Sequence, residues 1–243
     1  MRSCAGLSRH ESKFRILLGA VFNSSLLLNG SVIDSGAHWG SESCFFASLD
    51  AGRVVHAIEP LYSNVKTIVQ VFAGEHRNIH AVHAALGREA GWIYLSGAHH
   101  SRSMLKELDT LRVHTGPPLN TSKHTEQMVR VHRIDELFGQ ERLAFVHLDV
   151  EGAERDVVLG AHAVFQHDRP VFTVESSPLS FGNRTHAEKR QLLATVHAMG
   201  YRTYAVREQC GVTRGCINII CLPAERVGLA PTVLVNQTDE ILP

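Results

Sequence analysis

The chain has 243 residues, 44% hydrophobic and 20% charged, enough to bury one sizeable α/β core and far from a disordered composition. Lysine plus arginine equal aspartate plus glutamate at 24 each, for zero formal net charge. That balance argues against a nucleic-acid or anionic-membrane partner, since both favour a basic excess.

The 16 histidines are scattered rather than clustered, so they mark no metal centre. At the start, Arg2, Arg9, Lys13 and Arg15 precede an apolar stretch from Ile16 to Leu28. Asn23, Ser24 and Ser25 interrupt it, and it is shorter than the about 20 residues of a bilayer crossing. It reads as an amphipathic helix packed on a sheet, within a helical extension over residues 1–30, in preference to a targeting segment. A cytoplasmic placement with reduced cysteines is expected; a Cys210–Cys216 bridge is the alternative.

Short β-branched runs then alternate with helical patterns, the sign of βαβ units and a parallel sheet. Ser31–Asp34 is the first expected strand, followed by a helix over Ser41–Leu49. Arg53–Glu59 is a strand, Tyr62–Phe72 a helix and Asn78–Ala84 a third strand. Trp92–Leu95 precedes a long polar segment, Ser96–Gln127, of the kind used as lids or left without order. Order resumes at Met128–Val131, with a short helix at Asp135–Phe138 and a strand at Ala144–Asp149. One helix over Ala153–Phe165, a strand at Val171–Glu175 and a helix at Thr185–Met199 come next. Tyr201–Arg207 and Ile217–Leu222 read as a terminal hairpin, and residues 224–243 as a loosely attached tail. The expectation is therefore one domain over residues 31–223, an α/β doubly wound sheet, mostly parallel, closed by an antiparallel hairpin.

Three segments carry chemistry. The first strand ends in I-D-S-G-A-H-W-G, a glycine turn leading into a helix. Gly36 and Gly40 lack a Cβ where one would collide with a ligand or distort the turn. The helix start offers N–H groups to an anion such as the carboxylate of a methionine moiety, while Asp34 can take its ammonium. The spacing lacks the third glycine of a dinucleotide fingerprint. Second, Glu59 ends the next strand, where a carboxylate can accept both ribose hydroxyls of an adenosine ligand; it can equally cap the helix after Pro60. Third, H-L-D-V-E-G-A-E places Asp149 at a strand's carboxyl end with Glu151 and Glu154 in the following turn, facing the same crevice. Such like charges need a cation, a donor or a shared proton. In the alternative, Glu151 caps the helix and Glu154 is solvated, and for Glu154 solvation is the favoured reading. Glu175, ending the next strand, is a weaker candidate at the same edge.

With these segments in order, the chain resembles the FkbM family of class I S-adenosylmethionine-dependent methyltransferases. The resemblance rests on IDSGAHWG, HAIEP, HAALG, VHRIDEL, HLDVEGAE followed by Val158–Ala161, and RPVFTVE, from about Ser31 to Glu175. It implies a Rossmann-like fold with S-adenosyl-L-methionine as cofactor. It also implies Asp34, Gly36, Ala37, His38, Gly40 and Glu59 as cofactor-binding, with Asp149 and Glu151 lining the transfer site. His147 stands where the family usually has lysine, and His38 and Trp39 where smaller or amide-bearing residues are commoner; Trp39 is expected to pack on the sheet. The loosely matching His99–Ser103 stretch is either a lid over the acceptor or a solvated loop.

The implied activity is methyl transfer to a hydroxyl of a small molecule, sugar or lipid. Asp149 or a lid histidine would be the base, with no bound metal. An inactive methyltransferase-like binding module is the chief alternative, and a nucleotide-dependent oxidoreductase a third. Five N-x-S/T sequons, at Asn23, Asn29, Asn120, Asn183 and Asn236, read as chance matches. The one at Asn29 abuts the glycine loop, where a glycan would obstruct a cofactor.

Overall fold

The computed structural model describes residues 12–72, 76–95, 127–176, 186–210 and 213–242. Its elements are α1 (Ser12–Phe22), β1 (Ser31–Ser35), α2 (Ser41–Leu49), β2 (Val55–Glu59), α3 (Tyr62–Phe72) and β3 (Ile79–His83). Then follow β4 (Ala85–Leu86), β5 (Gly91–Leu95), β6 (Gln127–His132), α4 (Ile134–Phe138) and β7 (Leu143–Leu148). The remainder is α5 (Glu154–Gly160), α6 (His162–His167), β8 (Val171–Ser176), α7 (His186–Ala198), β9 (Tyr201–Cys210) and β10 (Thr213–Pro223), then a 3-10 turn (Ala224–Leu229), α8 (Thr232–Gln237) and β11 (Asp239–Ile241).

Eight strands form the main sheet in the order β11-β9-β10-β8-β7-β1-β2-β3. The run from β8 to β3 is parallel, and β10, β9 and β11 continue it antiparallel. Parallel strands are covered on both faces, so they read as apolar runs rather than alternations. LAFVHL of β7 is buried at every position. One face packs Ile33, Val146 and Phe172 against Ile134, Phe138, Val157, Phe165 and Leu193 from α4 to α7. The other packs Val32, Val55 and Phe145 against Phe14, Leu17, Leu18, Phe46 and Leu234 from α1, α2 and α8. This is the doubly wound sheet the sequence predicts. A small second sheet, β4-β6-β5, stands beside it.

Helix α1 docks on the sheet as expected: Phe14, Leu17, Leu18 and Val21 are all buried. Each contributes about 1.5–3 kcal/mol on burial. Among the described residues no helix is long and apolar enough to cross a membrane.

Three expectations are corrected. The helix over Ala153–Phe165 is two helices, because both carboxylate oxygens of Asp135 accept backbone N–H groups, those of Ala163 and Val164, and so restart the chain at α6. The expected terminal hairpin is present, β9 and β10 pairing antiparallel, and β9 pairs in addition with β11. The segment after Pro223 is not loose: Leu234 is buried, and Arg226 donates to the carbonyls of Leu26 and Arg169. Cys44, expected reduced, is disulfide-bonded. Nearly all of the polar segment 96–127, including His99–Ser103, lies outside the described residues, as do the side chains of Cys210 and Cys216.

Candidate functional site

The carboxyl ends of β1, β2, β7 and β8 lie side by side, so the three acidic motifs converge on one edge. Ser35 pairs with Ile58 and Leu148, and Leu148 with Val174, which puts Glu59, Asp149 and Glu175 one residue beyond a common level.

The loop after β1 is held mainly by its own backbone. The N–H groups of Gly36 and Ala37 donate to the Ile58 carbonyl at 2.9 and 3.1 Å, and that of Gly40 to Ala37 at 2.7 Å. The backbone is left-handed at Gly36 (φ 84°), His38 (φ 51°) and Gly40 (φ 83°). A Cβ on Gly36 would stand 1.8 Å from the carbonyl oxygen of Asp149, and one on Gly40 2.7 Å from the Phe72 ring. The glycines therefore answer to protein neighbours. Ala37 turns into a small cluster with Cys44, Ala57, Ile68 and Phe72. Trp39 does not pack on the sheet; it is 58% exposed and stacks on His38 with ring centroids 4.3 Å apart.

Asp34 is buried beneath this loop. Its Oδ2 accepts from the Ser43 hydroxyl at 2.5 Å, and its carboxyl also accepts the Ser43 backbone N–H. It thus takes one of the N–H groups at the start of α2, where an external anion is expected. Burial pushes Asp34 up to about 7, against the Ser43 hydrogen bonds and with help from the charges of Glu42 and Glu59. Glu42 itself is paired with Arg15 of α1 at 2.5 Å.

Glu59 is buried and performs the capping role. Its Oε1 accepts from Leu61 N at 2.8 Å and Asn64 Nδ2 at 3.3 Å, and its Oε2 from His38 N at 2.7 Å. The carboxylate thereby ties the loops after β1 and β2 together. Burial raises it, while these three donors oppose the rise. A carboxylate offers about four lone-pair directions, so one is open and the long Asn64 bond is the next to yield. Two ribose hydroxyls need two acceptor directions, which Glu59 can supply.

Across the loop, Asp149 is anchored by its N–H to Ser35 O at 3.0 Å. Its Oδ1 is shielded from solvent and has no hydrogen-bond partner among the described residues. Burial pushes its carboxyl well above the carboxylate range, followed by the charge of Glu175, a carboxyl–carboxyl hydrogen bond to Glu175, and the charges of Glu151 and Glu154. Glu151 is exposed at φ 53°, and Glu154 is buried with Oε1 accepting Gly152 N at 2.7 Å, so the expected solvation of Glu154 is reversed. His147 lies inside the fold, bonded through Nδ1 to Thr173 Oγ1 at 2.8 Å and flanked by the Phe14 and Phe46 rings. Burial pushes it down to about 4. Ser43 and Asn64 were not singled out from the sequence. Their signal is positional: a hydroxyl in the first turn after an acidic strand end, and an amide five residues past Glu59.

A search of curated proteins finds no match. Among solved structures, the chain is similar to the FkbM methyltransferase of Methylobacillus flagellatus, with 15% identity and a TM-score of 0.52. That likeness covers 80% of this chain and 45% of the other, so this chain spans under half of that protein's length. The precorrin-6Y C5,15-methyltransferase of Geobacter metallireducens matches with 11% identity and a TM-score of 0.48, over 86% of each chain. Aeropyrum pernix fibrillarin, solved with natively bound S-adenosyl-L-methionine, matches with 10% identity and a TM-score of 0.48, over 85% of this chain and 74% of that one. The methyltransferase FkbM domain matches residues 34–203, which span β1 to β9 and every acid of the site. S-adenosyl-L-methionine is accordingly the supported cofactor. The chain belongs to the FkbM methyltransferase family.

Proposed function

We propose that the chain is an O-methyltransferase that moves a methyl group from S-adenosyl-L-methionine to a hydroxyl of a small-molecule, sugar or lipid acceptor. The observation that carries this reading is Asp149: a buried carboxyl beside the Gly36 turn with the Glu175 carboxyl next to it, its Oδ1 without a hydrogen-bond partner among the described residues. A raised carboxyl is a stronger proton acceptor once ionised, and a base works best with its pKa near the operating pH.

When bound, the cofactor supplies a methyl group activated by a sulfonium. The chain's part is to hold and align. Gly36, Ala37, His38 and Gly40 shape the loop that receives it, Asp34 stiffens that loop from below, and Glu59 offers its remaining acceptor directions to the ribose. Aligning acceptor, methyl and leaving sulfur supplies most of the rate gain. Asp149 takes the hydroxyl proton as the new O–C bond forms and the S–C bond breaks. Glu175 and Glu151 keep Asp149 avid for that proton.

Calorimetric titration with S-adenosylmethionine and S-adenosylhomocysteine, followed by turnover on a panel of hydroxyl acceptors, tests this. Binding of both with methylation of a hydroxyl is expected. Absence of binding by either sinks the proposal, and binding with no turnover on any acceptor replaces the enzyme with a cofactor-binding module.

A further inference from the structure

We propose that the chain is N-glycosylated at Asn23, Asn29 and Asn236, and so matures in a lumen that performs this modification. The inference is independent of the reading of the site. The sequence holds eight asparagines, and five of them open an N-x-S/T sequon with no proline between. With 30 serines and threonines among 243 residues, composition alone puts a hydroxyl two places after ~1 of the eight.

The structure divides the asparagines along the same line. Asn64 is buried and donates to Glu59, and Asn218 is buried on β10. Asn78 spends its amide on the Arg53 carbonyl at 2.9 Å. These three are internal, and none opens a sequon. Asn23, Asn29 and Asn236 are exposed, and each opens one, Asn23 giving its amide to the Gly19 carbonyl at 2.8 Å on the surface. Asn120 and Asn183 lie outside the described residues.

Placement removes the objection raised by the sequence. Asn23 and Asn29 lie in the connection from α1 to β1, at the amino end of that strand. The cofactor loop leaves its carboxyl end, five residues or ~17 Å away at ~3.3 Å per residue. Asn236 lies near the end of α8, which packs on α1 and leads into the edge strand β11. Glycans at Asn23 and Asn29 leave the cofactor edge open. Ser31, the hydroxyl of the Asn29 sequon, is buried, so that site is modified on the chain before it folds.

Cys44 points the same way. Its disulfide belongs to an oxidising compartment, the setting in which N-glycans are also added.

The donor is a lipid-pyrophosphate-linked oligosaccharide. The asparagine amide nitrogen bonds to the sugar C1, the C1–O bond to pyrophosphate breaks, and the lipid pyrophosphate leaves with that electron pair. One amide proton passes to a base, and nothing is oxidised or reduced.

The test uses the protein purified from the cells that make it, treated with peptide N-glycosidase in ¹⁸O water and read by peptide mass spectrometry. Conversion to ¹⁸O-labelled aspartate at two or more of Asn23, Asn29 and Asn236 is expected. Conversion at one or none, including labelling confined to Asn120 and Asn183, overturns the assignment.

Discussion

The acids at the ends of β1 and β2 and those at the ends of β7 and β8 share one edge of one sheet, yet their surroundings differ. Asp34 and Glu59 are surrounded by donors: Ser43 for one, and His38, Leu61 and Asn64 for the other. Asp149 faces Glu175, Glu151 and Glu154, with one oxygen unpartnered among the described residues. A buried acid given donors is a structural tie, and one given like charges waits for a cation or a transferable proton. The first pair builds the cofactor loop, and the second is where reactivity resides.

The largest expected effect tests the reactive pair. Asp149→Asn should lower turnover by ~10²–10⁴ while leaving cofactor affinity within about twofold. The same variant should be more stable than the parent at pH 8, because unfolding frees the parent's buried, raised acid to ionise. Unchanged turnover would move the base elsewhere.

Next comes the contact joining the two regions. Gly36→Ala brings a Cβ against the Asp149 carbonyl at a left-handed position, so urea unfolding should show a loss of roughly 3 kcal/mol. A loss under ~1 kcal/mol would mean that the loop yields freely.

The pH dependence of stability separates Asp34 from His147. Folded Asp34 keeps its proton to about 7 and the unfolded residue only to 3.8, so its contribution falls as pH rises between those values. Folded His147 protonates only near 4 against 6.5 when unfolded, so its contribution rises with pH over that window. The two slopes oppose each other from about pH 4 to 6.5. Asp34→Asn should remove one falling slope, so the variant's stability rises relative to the parent's across this range, while the raised acids Asp149 and Glu59 add the same falling slope to both. Parallel curves for parent and variant would refute the assignment to Asp34.

Glu59→Gln removes one ionised acceptor from three donors, and should weaken S-adenosylhomocysteine binding ~10-fold, with a stability loss of about 1–2 kcal/mol. Equal losses for Gln and Ala at this position would show that the charge is immaterial. Smallest of all, Trp39→Ala should change stability by under ~0.5 kcal/mol, since the ring meets His38 and solvent.

Local patterns explain what could be read in advance. The β-branched runs and helical spacings located the parallel strands, and strand ends located Asp34, Glu59 and Asp149 on one edge, because side-chain periodicity and chain direction are local properties. Residue partners are not. Gly36 was legible as a turn glycine, but that it accommodates the carbonyl of Asp149 depends on β1 lying beside β7. Asp34 was legible as an acid at a strand end, but its use by Ser43 depends on how α2 settles.

By itself, the sequence determined a doubly wound sheet, the position of its acidic edge and membership of a methyltransferase family. Those follow from periodicity, glycine spacing and ordered motifs along one chain. Only the tertiary structure decided which acids are satisfied and which are strained, that residues after Pro223 complete the sheet, and which asparagines face solvent. Each of these depends on segments far apart in sequence being brought together, and burial sets charge, proton and exposure only once they are.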